Sequence, residues 1–191
     1  MASSNRDKAR EIALLLPGLR LLPRPEGLAE VEEVGESLED NARLKARAVL
    51  EATGSAAIAD DTGLEVVALG GAPGVRSARF AGERATYADN VAKLLSCLEG
   101  VEDRRACFRT VALAVLADGT ELVAEGRVEG TIATEPRGEG GFGYDPVFVP
   151  LEGGGLSFAE MPLADKNRIS HRGRAFRALA GLIRARTGGG P

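Results

Sequence analysis

Two adjacent aspartates, Asp60 and Asp61, follow the small apolar run AAIA (residues 56–59) within the stretch IADDTGLEV. Like charges side by side at the end of a buried segment repel each other and resist losing water. Such a pair is kept where something offsets that: a cation, a helix start or open solvent. At the C-terminal edge of a strand in an open α/β fold, where ligands tend to bind, two carboxylates suit a hard cation such as magnesium. One of them can then orient or deprotonate a water. Thr62-Gly63 reads as a tight turn carrying a hydroxyl, and a plain polar turn is the alternative. Glu33, in an acidic run upstream, is a candidate further ligand.

Three other clusters carry chemistry. SSNRDK (residues 3–8) sets Ser3, Ser4, Asn5 and Lys8 at a helix N-terminus. Free N–H groups and the positive end of the helix dipole favour an anion there, and Lys8 adds a point charge for a phosphate. Capping by Asn5 with an exposed lysine is the alternative. The glycines of a Walker motif are absent. GGFGYDP (residues 140–146) spaces Phe142 and Tyr144 around Gly143; glycine lets backbone approach a ligand, and either ring suits stacking on a base. Asp145, before Pro146, is held extended. A structural turn with core aromatics is the alternative. KNRISHR (residues 166–172) puts Lys166, Arg168, Arg172 and the single histidine, His171, at a helix start. Basic residues belong near helix C-termini, so a bound anion or a purine carbonyl would compensate.

The elements that position these groups follow from periodicity and capping. Asn5 caps a first helix whose apolar face is Ala9, Ile12, Ala13 and Leu16, ended by Pro17-Gly18. Ser37-Leu38-Glu39-Asp40 opens a second helix through Ala42, Ala46, Val49 and Leu50, stopping at Gly54. AAIA is a short buried strand, LEVVAL (residues 64–69) a second apolar segment, and GGAPG (residues 70–74) a turn. Thr86-Tyr87-Ala88-Asp89 caps a helix carrying Val91, Leu94, Leu95 and Leu98. Two long β-type runs, CFRTVALAVLA and TELVAEGRVEGTIAT, meet at the hairpin signal Asp118-Gly119. Ser170 caps a last helix with Phe176, Leu179, Ala180 and Ile183 on its face. This order predicts an α/β or α+β fold around a central sheet. A strand normally precedes the first phosphate loop of such folds; only Met1 and Ala2 stand before SSN, so an apolar extension upstream of this start is expected. The terminal GGGP reads as a frayed tail.

The 191 residues suffice for one good core or two small lobes. Hydrophobic content of 44% and charged content of 27% are those of a soluble globular protein. No apolar run approaches the roughly 18 residues needed to span a bilayer, and MASSNRDKAR has no signal-peptide core, so a cytoplasmic protein with no membrane partner is expected. Cys97 and Cys107 fit no metal spacing or disulfide framework and read as buried small hydrophobes. One histidine excludes a His-rich metal site, leaving carboxylates and a hard cation. The net charge of −4 disfavours a nucleic-acid-binding module. Residues 26–40 carry acids and no base, and residues 166–186 bases and no acid. Such half-sites would suit a metal–polyphosphate substrate; helix faces that pair with each other are the alternative.

In their order, SSNRDK, IADDTGLEVVALGGAPGVRSARFAG, GGFGYDPVF and DKNRISHRGRA resemble the inosine triphosphate pyrophosphatase family, over nearly the whole chain. The second motif and the SHRGRA ending are the specific ones. The resemblance implies one domain over residues 1–191: an elongated, two-lobed α/β structure, its mixed sheet flanked by helices around a central substrate cleft. A homodimer is also implied. The implied activity is Mg2+-dependent cleavage of the α–β phosphoanhydride of dITP, ITP or XTP, giving the nucleoside monophosphate and pyrophosphate and clearing deaminated purines from the nucleotide pool. By motif position, Asp61 is the implied general base and metal ligand, with Asp60 beside it and Glu33 a second metal ligand. The segment EEVGESLEDNA around Glu33 lacks the threonine and phenylalanine common there. Ser3, Ser4, Asn5 and Lys8 match the first phosphate-binding loop, and Thr62 stands where serine is frequent. Phe142, Gly143, Tyr144 and Asp145 match the base-binding loop, with Phe142 as the stacking ring. Lys166, His171 and Arg172 match the residues around base and phosphates. A keto oxygen at purine C6 accepts hydrogen bonds and the amino group of adenine does not, so donors such as His171 and Arg172 would reject ATP. A Maf-type pyrophosphatase acting on other modified or pyrimidine nucleotides is the nearest alternative. A non-catalytic nucleotide sensor would need an impaired carboxylate pair, and both aspartates are present.

Overall fold

Capping and glycine stops set the helix limits. In the computed structural model, which describes residues 1–2 and 5–188 (the side chains of Arg6 and Thr187 excepted), α1 spans Arg6–Leu15. The Asn5 side-chain oxygen accepts from the amides of Asp7 and Lys8 at 2.9 and 3.1 Å. Helix α2 (Leu38–Thr53) starts behind Ser37, whose hydroxyl accepts from the Asp40 amide, and stops at Gly54 in the left-handed conformation. Helix α3 (Tyr87–Cys97) carries a full capping box between Thr86 and Asp89. Helix α4 (Leu163–Ile169), unforeseen in the sequence, leads through Ser170 into α5 (His171–Thr187).

Five strands, β1 (Ala57–Val66), β2 (Pro73–Gly74), β3 (Arg105–Val115), β4 (Glu121–Ile132) and β5 (Phe148–Pro150), form one open sheet in the order β2-β1-β3-β4-β5. The expected hairpin joins β3 to β4, with the Leu116 amide donating to the Thr120 carbonyl at 2.8 Å across Asp118-Gly119. The pairs β1–β2 and β4–β5 are antiparallel, with Leu64 opposite Gly74 and Thr131 opposite Val149. Sheet and helices together make a mixed α/β architecture.

The chain divides into two compact units. The first contains residues 1–61, 110–126 and 172–191. Its core packs Ile12 of α1, Leu16 just past its end and the α5 residues Phe176, Leu179, Ala180 and Ile183 on Ala112, Ala114 and Ala124 of the strands. Small strand residues let both helices sit close to the sheet. The second contains residues 62–109 and 127–171. Its core gathers Leu64, Val66, Leu94, Leu98, Phe108, Phe148 and Phe158. Phe108 meets Phe148 edge-on at 4.7 Å between ring centres.

Several expectations change. AAIA and LEVVAL are not two elements: β1 runs unbroken through Asp60, Asp61, Thr62 and Gly63, so Thr62-Gly63 is no turn and the aspartates sit within a strand rather than at its edge. The glycine is there for close approach. A Cβ at Gly63 would lie 2.7 Å from the Gly74 carbonyl oxygen across the β1–β2 pair. Only residues 67–69 of LEVVAL leave the strand, as a 3-10 turn. Cys107 is buried as expected, but Cys97, at the last turn of α3, is exposed. Ala13 is exposed as well, because the buried stripe of α1 is Glu11, Ile12 and Leu16. Of the terminal GGGP, expected to fray, residues 189–191 lie outside the described residues.

The Gly63 contact is testable. Gly63→Ala must displace backbone, not a flexible side chain, so it is expected to destabilise by about 1–3 kcal/mol. Thermal unfolding checks this; a melting temperature within a degree of the parent protein would show that the β1–β2 approach is looser than described.

Candidate functional site

In the first unit the aspartates are surrounded by cations. Asp60 and Asp61 are 3% and 4% exposed. The first turn of α1 brings Lys8 Nζ to 3.6 Å from Asp60 Oδ2. Arg172, second residue of α5, places Nε 3.4 Å from the same oxygen and donates from Nη1 to Glu11 Oε2 at 2.6 Å. From α2, Lys45 Nζ donates to Asp61 Oδ1 at 2.8 Å and to Glu33 Oε1 at 3.0 Å. Asn41, one helical turn before Lys45, donates to Asp61 Oδ2 at 3.3 Å. Three cations thus face four carboxylates, Glu11, Glu33, Asp60 and Asp61.

The two aspartates are driven apart by this arrangement. Burial pushes each carboxyl up. At Asp60 the charges of Lys8, Arg172 and Lys45 outweigh burial and hold it down to about 2. At Asp61 burial wins: its carboxyl lies above the ordinary value despite Lys45 and Lys8, with Glu33 adding to the rise. Burial pulls Lys45 down, but Asp61, Glu33 and Asp60 reverse that, so its ammonium is held above the ordinary value. One aspartate is therefore a firm anion and its neighbour the more basic carboxylate. Unlike environments around paired carboxylates separate acid and base roles in this way.

The donor set also bears on metal binding. Asp61 and Glu33 aim oxygens at one point, marked by the Lys45 ammonium. Among the described residues no group of three metal-type side chains converges. Two carboxylates with no third protein ligand suit a hard cation completed by water and phosphate oxygens.

The second unit supplies the glycine-rich loop. Asp145 Oδ2 accepts from the Phe142 amide at 2.8 Å and from Lys166 Nζ at 2.6 Å, and both charged side chains are buried. A Cβ at Gly141 would run into the Asp145 carboxylate, so the motif needs glycine there. The Tyr144 hydroxyl donates to the Ser77 carbonyl at 2.9 Å, and burial pushes its pKa far up. Phe142 is half-buried, with Lys166 Nζ 5.0 Å from its ring centre. His171 is buried and stacks on Phe108, with ring centres 4.4 Å apart.

The predicted residues therefore separate. Lys8, Glu33, Asp60, Asp61 and Arg172 come together in the first unit, and Phe142, Asp145 and Lys166 in the second. Thr62 follows Asp61 in β1, half-buried. Asn5 caps α1, so its own oxygen takes the amides of Asp7 and Lys8 that were candidate anion donors. Tyr144 hydrogen-bonds inward at the base of the loop, beside Gly143. Ser3 and Ser4 lie outside the described residues. Sequence reading missed Glu11, Asn41 and Lys45. Helical spacing held the signal: Glu11 follows Lys8 by three positions beside buried Ile12, and Asn41 and Lys45, four apart, flank the buried stripe Ala42, Ala46 and Val49.

Comparison with known proteins agrees with the motif reading. The Ham1 family model matches residues 1–182. A protein of Methylococcus capsulatus named dITP/XTP pyrophosphatase is 50% identical, over 99% of this chain and 97% of its own length. One of the same name from Mycobacterium tuberculosis is 46% identical, over 97% of this chain and 94% of its own. Among solved structures, a HAM1 protein from Coxiella burnetii superposes with a TM-score of 0.85 at 39% identity, covering 96% of both chains. The Staphylococcus aureus Ham1 protein gives 0.86 at 38%, covering 97% of both. Sequence, fold and family model agree: this chain belongs to the Ham1 family.

Proposed function

We propose that this chain hydrolyses deaminated purine nucleoside triphosphates (dITP, ITP and XTP) to the nucleoside monophosphate and pyrophosphate. The observation that carries the reading is the buried Asp60–Asp61 pair, with Asp60 held as an anion and Asp61 raised towards a useful base. The relatives named dITP/XTP pyrophosphatase support the choice of substrate. We take residues 1–191 as a single catalytic domain, acting in the cytoplasm as a homodimer on a free nucleotide; among the described residues no helix is long and apolar enough to cross a membrane.

Roles follow from the geometry of each unit. Asp61 accepts the proton of the water that breaks the α–β phosphoanhydride. Asp60 stays ionised and anchors Lys8 and Arg172, whose charges then meet the triphosphate. Asp61 and Glu33 would hold Mg2+, which supplies charge neutralisation on the phosphate oxygens. Lys45 holds both carboxylates together at the point such a cation would take. In the second unit Phe142 offers a ring face to the purine, and the Asp145–Lys166 pair shapes the loop that presents it. Ser3, Ser4 and Thr62 are assigned hydroxyl contacts to phosphate, and His171 a contact to the base.

A panel of dITP, XTP, ATP, GTP, CTP and UTP with Mg2+ tests the substrate class. Pyrophosphate release from dITP and XTP alone is expected. Release from pyrimidine nucleotides would move the reading to a Maf-type activity, and no release from any would end it.

Asp61→Asn tests the base. Turnover is expected to fall by about a hundred- to ten-thousandfold, with the fold retained. The pH dependence of stability follows from linkage. A carboxyl raised on folding, as at Asp61, contributes stability that is lost as pH climbs through its folded pKa. Asp60 behaves oppositely, stabilising above about pH 4 and losing that contribution as pH falls towards 2. Retained turnover in Asp61→Asn would remove Asp61 as base.

A further inference from the structure

We propose that Tyr87 is a positioning residue that holds the Phe142 ring where a purine can stack on it. This rests on the reading of Phe142 as the stacking ring. Phe142 sits between Gly141 and Gly143, both at positive φ (69° and 64°). Its amide is fixed by Asp145 and Lys166 Nζ lies 5.0 Å from its ring centre, while the flanking glycines have no side chains to pack against the ring. Support comes from elsewhere. The Tyr87 ring lies 6.0 Å from the Phe142 ring, tilted by 37°, within the range of favourable aromatic pairs.

Tyr87 is well placed for this. It is the first residue of α3, and the Thr86–Asp89 capping box fixes the backbone beneath it. It is 44% exposed, so its ring is not a core residue that folding requires. A cavity of about 460 Å³ lies alongside, lined by Tyr87, Val91, Leu95, Pro136, Phe142 and Pro146 among others. That cavity is apolar and large enough for a phenyl ring. A Phe142 ring that lost its neighbour would gain by turning into it, because apolar surface prefers burial. Tyr87 and Phe142 both line this space, so the Tyr87 ring limits how far the Phe142 ring can turn into it. The contact described is between the two rings, so the positioning role is assigned to the Tyr87 ring.

Steady-state kinetics on Tyr87→Ala and Tyr87→Phe test the role, with Phe142→Ala alongside and the inhibition constant of inorganic tripolyphosphate as a measure of base-free binding. Tyr87→Ala is expected to raise KM for dITP roughly three- to tenfold, with kcat within about twofold and tripolyphosphate inhibition unchanged. Tyr87→Phe is expected to match the parent. An unchanged KM in Tyr87→Ala beside an impaired Phe142→Ala would overturn the positioning role alone. So would a parallel loss of tripolyphosphate binding, or a Tyr87→Phe variant as impaired as Tyr87→Ala. An unimpaired Phe142→Ala would overturn the stacking reading, and the role of Tyr87 with it.

Discussion

Burying two neighbouring carboxylates in the middle of a strand is the constraint from which most of this molecule follows. An ionised carboxylate taken out of water costs several kcal/mol unless it is paired. Asp60 and Asp61 are both almost fully buried, so the first unit must deliver cations to them. It does so from three elements: Lys8 from α1, Lys45 from α2 and Arg172 from α5. The depression of Asp60 to about 2 corresponds to stabilisation on the order of 2 kcal/mol at neutral pH. Asp61 receives less, because Glu33 shares its ammonium and burial is not overcome. The inequality is the chemical product of the arrangement: one carboxyl is held well below the ordinary value and its neighbour above it.

The second unit solves a different problem, which is to present an aromatic ring from a loop with little structure of its own. It uses one buried ion pair. Asp145 ties the Phe142 amide to Lys166, and the Tyr144 hydroxyl fastens the loop base to Ser77. Ser77 in turn accepts from the Leu64 amide and donates to the Gly74 carbonyl, so the loop is tied to β1 and β2. Phe142 is left half-buried, while Tyr144 is consumed in the fold. The motif's two aromatics thus have separate duties, which their spacing alone did not assign.

Local signals in the sequence were read well because local chemistry sets them. Asn5, Ser37 and Thr86 cap the helices where expected, and Asp118-Gly119 turns the hairpin. The family motifs point to Asp60, Asp61 and Phe142, of which the structure shows the aspartates buried among cations and Phe142 half-buried. What was hidden depends on distant partners. Thr62-Gly63 looks like a turn because glycine usually marks one; only the approach of Gly74 explains a glycine inside a strand. Glu11 looks like a solvated helix charge until Arg172, 161 residues away, is placed against it. Lys45 and Asn41 are unremarkable until α2 is laid along β1. Cys97 was read as buried from its residue type, but its place on the helix surface decides the matter.

The account stands on the separation of two adjacent carboxylates, and that is directly measurable. Carbon-detected NMR titration of the side-chain carboxyls of Asp60 and Asp61 would follow each through acid. Asp60 is predicted to remain ionised until pH approaches about 2, and Asp61 to take up its proton above the ordinary aspartate range. Two carboxyls titrating together near the ordinary value would mean that Lys8, Lys45 and Arg172 do not distinguish them, and the assignment of anchor and base would fall.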